Sequence, residues 1–95
     1  MNFARSVKRD VFFEEFNGRY FEGYHESDIG EKGRLFNLKI TAKLKSKYNG
    51  AVINKVEYCD SDEVKLNAMD ESELSRYIRD MLSVLKATLF EGDCR

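Results

Sequence analysis

At 95 residues, with 42% hydrophobic and 13% aromatic side chains, the chain has the size and apolar content of one small folded domain. Lys+Arg 16 nearly cancels Asp+Glu 17, and a net charge of −1 argues against both a strongly basic nucleic-acid binder and a uniformly acidic DNA mimic. No run approaches the roughly 18 apolar residues of a membrane span; residues 1–10 lack the apolar core and cleavage site of a signal peptide, and Cys59 and Cys94 lack metal or redox spacing, so an intracellular chain with free thiols is expected.

In chain order, the first third is crowded with rings: Phe12, Phe13, Phe16, Tyr20, Phe21 and Tyr24. Aromatics favour strands, and Phe16-Asn17-Gly18 predicts a hairpin of 11–15 against 19–25. In a three-residue register Phe13 faces Phe21 and Glu15 faces Arg19. The competing reading is an N-terminal helix with Phe3, Val7 and Val11 at four-residue spacing, stopped at Gly18. It gives an α-β-β-β-α order that is similar to a double-stranded-RNA-binding domain in element order only. Such domains carry lysines at the start of the last helix, where this chain has Asp70, Glu71 and Glu73, which repel phosphate. Residues 25–33 read as a polar loop.

Residues 34–47 alternate almost without error. Phe36, Leu38, Ile40, Ala42 and Leu44 fall on one face, and Asn37, Lys39, Thr41, Lys43, Lys45 and Lys47 on the other. A period of two is that of a strand with one buried side. At the next turn, a two-residue Asn49-Gly50 loop would set Leu44 against Lys55 and Ala42 against Glu57. A three-residue loop, with Gly50 in the left-handed position, sets Ala42 against Val56 and Ile40 against Tyr58, and so keeps apolar faces together. The same test with Asp60-Ser61-Asp62 as a loop predicts a further strand, Tyr58 facing Val64, Val56 facing Leu66 and Glu57 facing Lys65. Val52, Val64 and Ala68 complete the expected buried face.

The last element is a helix over 71–90. Asp70 is its N-cap with Glu73 as capping-box partner, Met69 and Leu74 can staple its entry, and Gly92 marks its end. Leu74, Tyr77, Ile78, Met81, Leu82, Leu85 and Leu89 recur every three or four residues and line one face. The fold class is therefore α+β, a single domain in which an antiparallel meander of four to five strands packs against one C-terminal helix.

Two surfaces are candidates for function. The outward face of the predicted strands carries Lys39, Lys43, Lys45, Lys47, Lys55 and Lys65 against Glu57 and Glu63, a positive surplus on a chain whose total is −1. Such a face suits phosphates or an acidic protein patch. Apart from Tyr48 at a turn tip it shows no ring on which bases would stack, so only weak, sequence-independent nucleic-acid binding is expected of it. The second surface is the aromatic hairpin, where Arg19, Tyr20, Tyr24 and His25 have the composition of an interface.

Catalysis is not expected. The one histidine has no nucleophile signature near it, and the paired acids Glu14-Glu15 and Asp60/Asp62 lie in no evident apolar enclosure. No zinc or EF-hand spacing exists around 25–31 or 60–63, and the glycines form no phosphate fingerprint, so no metal or other cofactor is expected. The sequence points to a non-catalytic module that binds a larger protein, with a homodimer as a further option. Inhibitors, adaptors and phage-type antagonists of host machinery share this size and character, which is an analogy and not a motif.

Overall fold

The structure, a computed structural model, describes residues 12–29 and 33–93. The residues Phe3, Val7 and Val11 of the helix alternative and the tail thiol Cys94 lie outside the described residues; where that helix would have run on to Gly18, residues 12–16 are a strand. Four strands follow one another as an antiparallel meander: β1 (Phe12–Phe16), β2 (Arg19–Ile29), β3 (Leu35–Ser46) and β4 (Val52–Asp60), in the spatial order β1-β2-β3-β4. Two helices complete the chain, α1 (Glu63–Ala68) and α2 (Glu71–Asp93).

The first hairpin is tighter than expected. Phe16 pairs with Arg19 across a two-residue turn, and Asn17 (φ 49°) and Gly18 (φ 77°) both lie in the left-handed region. That is the type I′ turn, whose twist matches that of the flanking strands. The consequence is a register in which Phe13 opposes Glu22 and Glu14 opposes Phe21, so Phe12 and Phe16 share the core side with Phe21. Phe16 then meets Phe90 of α2 edge-on at 5.2 Å, a contact the three-residue register would forfeit.

Strand β2 also runs further than the expected loop allowed. Glu26, Ser27 and Asp28 pair with β3, and the alternation continues: His25 and Ser27 are buried while Glu26 and Asp28 point away from the core. A shift of register after Asp28 leaves Phe36 as an extra residue, which is why it is 40% exposed instead of joining the core.

Between β3 and β4 the body of the expected register is present, with Ala42 opposite Val56 and Ile40 opposite Tyr58. The tip differs. Ser46 closes on Ala51 and Gly50 around a four-residue loop, and an extra residue at Ile53 restores the pairing of Leu44 with Asn54. Val52 consequently sits opposite Lys45, half exposed, outside the core where it was expected.

The fifth strand is absent from the described residues because 63–68 is the short helix α1. The Asp62 side chain accepts the backbone N–H of Lys65 at 3.1 Å and caps it, and the Asp60 carboxylate takes the N–H of Asp62 at 3.1 Å. Val64 is therefore 82% exposed, Ala68 is exposed, and only Leu66 reaches the core. Asn67 ties α1 to the start of β3 by accepting from the Leu35 N–H (2.9 Å) and donating to the Leu35 carbonyl (2.5 Å).

Helix α2 begins on the expected capping box: Glu73 N–H donates to Asp70 at 2.8 Å and Asp70 N–H to Glu73 at 3.0 Å. It runs through Gly92 to Asp93, past the stop expected of that glycine. Ile78, Leu82, Leu85 and Leu89 are buried against Phe21, Leu38, Ile40, Ala42 and Leu44, with Leu74, Tyr77 and Met81 at the margin. Small residues let the helix approach closely: Gly23 stands opposite Ala42, and a Cβ at Gly23 would lie 2.6 Å from a Leu82 methyl. Burying each large aliphatic side chain contributes about 1.5–3 kcal/mol, and all of that burial is on the helix side of the sheet.

Candidate protein-binding face

Both helices pack on one side of the sheet, and among the described residues no helix covers the other. The registers determine what stands there. Phe13 and Glu15 come from β1; Tyr20, Glu22, Tyr24, Glu26 and Asp28 from β2; Lys39, Thr41, Lys43 and Lys45 from β3; and Lys55 and Glu57 from β4. The two surfaces singled out in the sequence thus become one. Tyr20 and Tyr24 lie beside the lysine row, not on a separate hairpin surface.

Two members of the expected sets lie elsewhere. His25 is 4% exposed on the helix-covered side, opposite Ile40, because its position in β2 has the core parity; it makes no outer surface. Lys65 is on α1 and reaches Asp60, since 63–68 is not a strand. Arg19 also has the core parity, at the hairpin end of β2, and is half-buried.

The electrostatics of the face differ from the expected surplus. Among the described residues, Lys39, Lys43, Lys45, Lys47 and Lys55 are matched by as many carboxylates: Glu15, Glu22, Glu26, Asp28 and Glu57. Ion pairs join seven of these ten residues, Lys45 to Glu22 at 2.8 Å, Lys47 to Glu15 at 2.6 Å, and Lys39 and Lys55 to Glu57 at 3.5 and 3.3 Å. The hydrogen bond from Lys55, with the Lys39 charge adding to it against desolvation, holds the Glu57 carboxyl below its usual range. The hydrogen bond to Glu15 and its charge hold the Lys47 ammonium above its usual range. Exposed pairs of this kind contribute little to stability. Their effect is to fix long side chains in rows.

The face also carries rings, where none but Tyr48 was expected. Phe13, 63% exposed, stacks on Tyr20 with centroids 5.0 Å apart, and the Lys43 ammonium sits 5.3 Å from the centre of the Tyr24 ring. Phe13 was missed because it joins the lysines only in the two-residue register, which the Asn17-Gly18 dipeptide, the strongest short-range signal for that turn, could have revealed. The β2 acids were missed because they come to the lysines through the pairing of β2 with β3, where a loop was expected over 25–33.

Two further clusters stand apart from this face. At the β1 edge an open groove of about 460 Å³ runs beside α2, lined by Glu14, Phe16, Lys86, Ala87 and Phe90 among others, with Glu14 and Lys86 paired at 2.6 Å. At the opposite end of α2, the Tyr77 hydroxyl donates to Asp60 at 2.6 Å and accepts from Lys65 at 3.2 Å; the Tyr58 hydroxyl lies 2.9 Å away, and Lys65 also meets Asp60 at 2.7 Å. Lys65 first and Tyr77 second hold the Asp60 carboxyl at about 2. Asp60 and then Tyr77 hold the Lys65 ammonium above the lysine range. Burial, followed by the bond to Asp60, pushes the Tyr77 hydroxyl up, so it stays a donor. Every member is committed to another member, which makes this a structural knot joining β4, α1 and α2. A general base would need the reverse, a group left with a proton affinity near neutrality.

No protein-family model, curated protein or solved structure matches this chain. Among the described residues no helix is long and apolar enough to cross a membrane. The functional reading therefore rests on the geometry alone.

Proposed function

We propose that this chain is a non-catalytic intracellular module, an inhibitor or adaptor, that binds a larger protein through the open face of its sheet. One observation carries the reading: a four-strand face left uncovered by both helices, on which the Phe13–Tyr20 stack and Tyr24 stand among lysines and carboxylates already fixed in rows. Aromatic anchors inside an ordered polar surround are the composition of an interface hot spot, and rows held in place before binding reduce the ordering cost of association. Sequence-independent nucleic-acid binding by the lysines is the rival. The face has rings for stacking, but carboxylates matching its lysines remove the positive surplus on which counterion release depends.

The test is affinity capture from the native cell, then titration of the purified target. Tyr20→Ala and Tyr24→Ala should each weaken binding by about tenfold, the scale of a truncated hot-spot ring, with an unchanged circular dichroism spectrum. Val64→Ala, on the far side of the molecule and 82% exposed, should leave affinity unaltered. Equal affinity for wild type and both tyrosine variants would remove the face from the proposal.

A further inference from the structure

The chain holds two Asn-Gly dipeptides, Asn17-Gly18 and Asn49-Gly50, both at hairpin tips. Asparagine followed by glycine is the pair most prone to rearrange without an enzyme. The glycine nitrogen, once deprotonated, attacks the asparagine Cγ, and no Cβ on the glycine obstructs the approach. The fold holds the two dipeptides in different ways.

In the first hairpin the peptide between Asn17 and Gly18 is the turn itself. Phe16 pairs with Arg19 directly beyond it, Asn17 and Gly18 are held at φ 49° and 77°, and the Gly18 carbonyl accepts the Lys47 N–H at 2.8 Å. Swinging this peptide toward the Asn17 side chain would undo the closure of the hairpin and the bond to Lys47 together.

Asn49 sits in the exposed loop 47–50. Its Oδ1 accepts the Ala51 N–H at 2.9 Å, an Asx turn. The ring that this bond closes contains both reacting atoms, the Asn49 Cγ and the Gly50 nitrogen. The same N–H donates to the oxygen that takes up charge as the nitrogen adds. Against this, the Gly50 N–H donates to the Ser46 carbonyl at 3.0 Å and must let go before it loses its proton. One exposed backbone hydrogen bond slows the step by about two- to tenfold.

We propose that Asn49 is a site of spontaneous covalent modification, where the chain ages into aspartyl and isoaspartyl forms, while the turn protects Asn17. The Gly50 nitrogen gives its proton to solvent and forms a bond to Cγ; the bond from Cγ to Nδ2 breaks, and ammonia leaves. Water then opens the cyclic imide. Cleavage at Cγ yields aspartate, and cleavage at the main-chain carbonyl yields isoaspartate. One water is consumed, one ammonia is released, and nothing is oxidised or reduced. Each event adds one negative charge to a chain of net −1, and the isoaspartyl form adds a carbon to the main chain of the loop. The modification needs no partner and stands apart from the binding face.

Incubation of the folded chain at mildly alkaline pH, then tryptic digestion and mass spectrometry, tests this. Cleavage after Arg19 and Lys47 puts the two sites on separate peptides. The Asn49 peptide should convert at least about tenfold faster than the Asn17 peptide, with ammonia released in equal amount. In concentrated urea the two should convert at the same rate, since only the fold distinguishes them. Folding should slow Asn49 itself by no more than about tenfold. The Asn49 rate should rise about tenfold per pH unit, because the deprotonated nitrogen is the nucleophile. A smaller preference for Asn49 in the folded chain, a larger slowing of it by folding, unequal rates in urea, or a rate indifferent to pH overturns the proposal.

Discussion

Tyr77→Phe removes a single oxygen from the knot at the end of α2. The ring remains, half-buried, so the change isolates hydrogen bonding. The lost hydroxyl donates to Asp60 at 2.6 Å and is the neighbour of Tyr58 at 2.9 Å. Asp60 lies at about 2 against an ordinary 3.8. At about 1.36 kcal/mol per unit, that shift corresponds to roughly 2 kcal/mol of stability at neutral pH. Lys65 is the first cause of the shift and Tyr77 the second, and Lys65 is 42% exposed, so screening trims the whole. The share lost with Tyr77 is about 1 kcal/mol, with about 0.5 more from the Tyr58 hydroxyl left without its neighbour.

With a urea slope of about 1 kcal/mol/M for a chain this small, the midpoint at pH 7 should fall by about 1–1.5 M. The pH dependence adds a second check. The folded-state value of Asp60 is depressed, so its contribution is fully present above about 3.8 and is lost as pH falls through about 2. The gap between wild type and Tyr77→Phe should therefore be constant from pH 7 to about 5 and narrow between about 4 and 2. Equal midpoints at pH 7, or a gap of constant size down to pH 2, would refute the assignment of this hydroxyl to Asp60.

Two substitutions in the first hairpin test its packing and its turn. Gly23→Ala puts a methyl 2.6 Å from Leu82 Cδ2 and 3.1 Å from the Phe21 ring, and should cost about 1–3 kcal/mol by overpacking. Leu82→Ala in the same chain should recover part of that loss, and strict additivity in the double-mutant cycle would disprove the contact. Asn17→Ala places a Cβ-bearing residue with no side-chain amide at φ 49° and should cost about 1 kcal/mol, seen as a fall of about 4–8 °C in Tm. Asn17→Gly should melt within about 2 °C of wild type, and equal losses for both would argue against the type I′ turn.

The parts legible in the sequence were those whose pattern had no competitor. Alternation over 34–47 admits only a strand, and matching apolar faces across the next turn placed Ala42 opposite Val56. Asp70 with Glu73 and the stripe from Leu74 to Leu89 likewise admit only a helix. The misreadings arose where two periods fit equally. Val64, Leu66 and Ala68 alternate like a strand, yet six residues are too few to reveal a helical period, and the cap at Asp62 decides the matter. In the first hairpin a shift of one residue exchanges the faces of β1, and with it the side on which Phe13 and Glu15 stand. The candidate face was read in pieces for that reason. Its cations were visible on β3, while the acids and rings that neutralise and frame them belong to β2, which reaches them through its pairing with β3, and to β1, whose orientation depends on Asn17 and Gly18.

The surplus residue at Ile53 has a bearing on how the chain behaves in a crowd. β4 is an outer strand, and Val52 and Ile53 there are about half exposed, a combination that invites further chains to add on rung by rung. The kink at Ile53 breaks the even spacing of backbone donors and acceptors that such growth would copy. Lateral accretion into fibres is checked at its first step, and a sticky margin is tolerated without spreading.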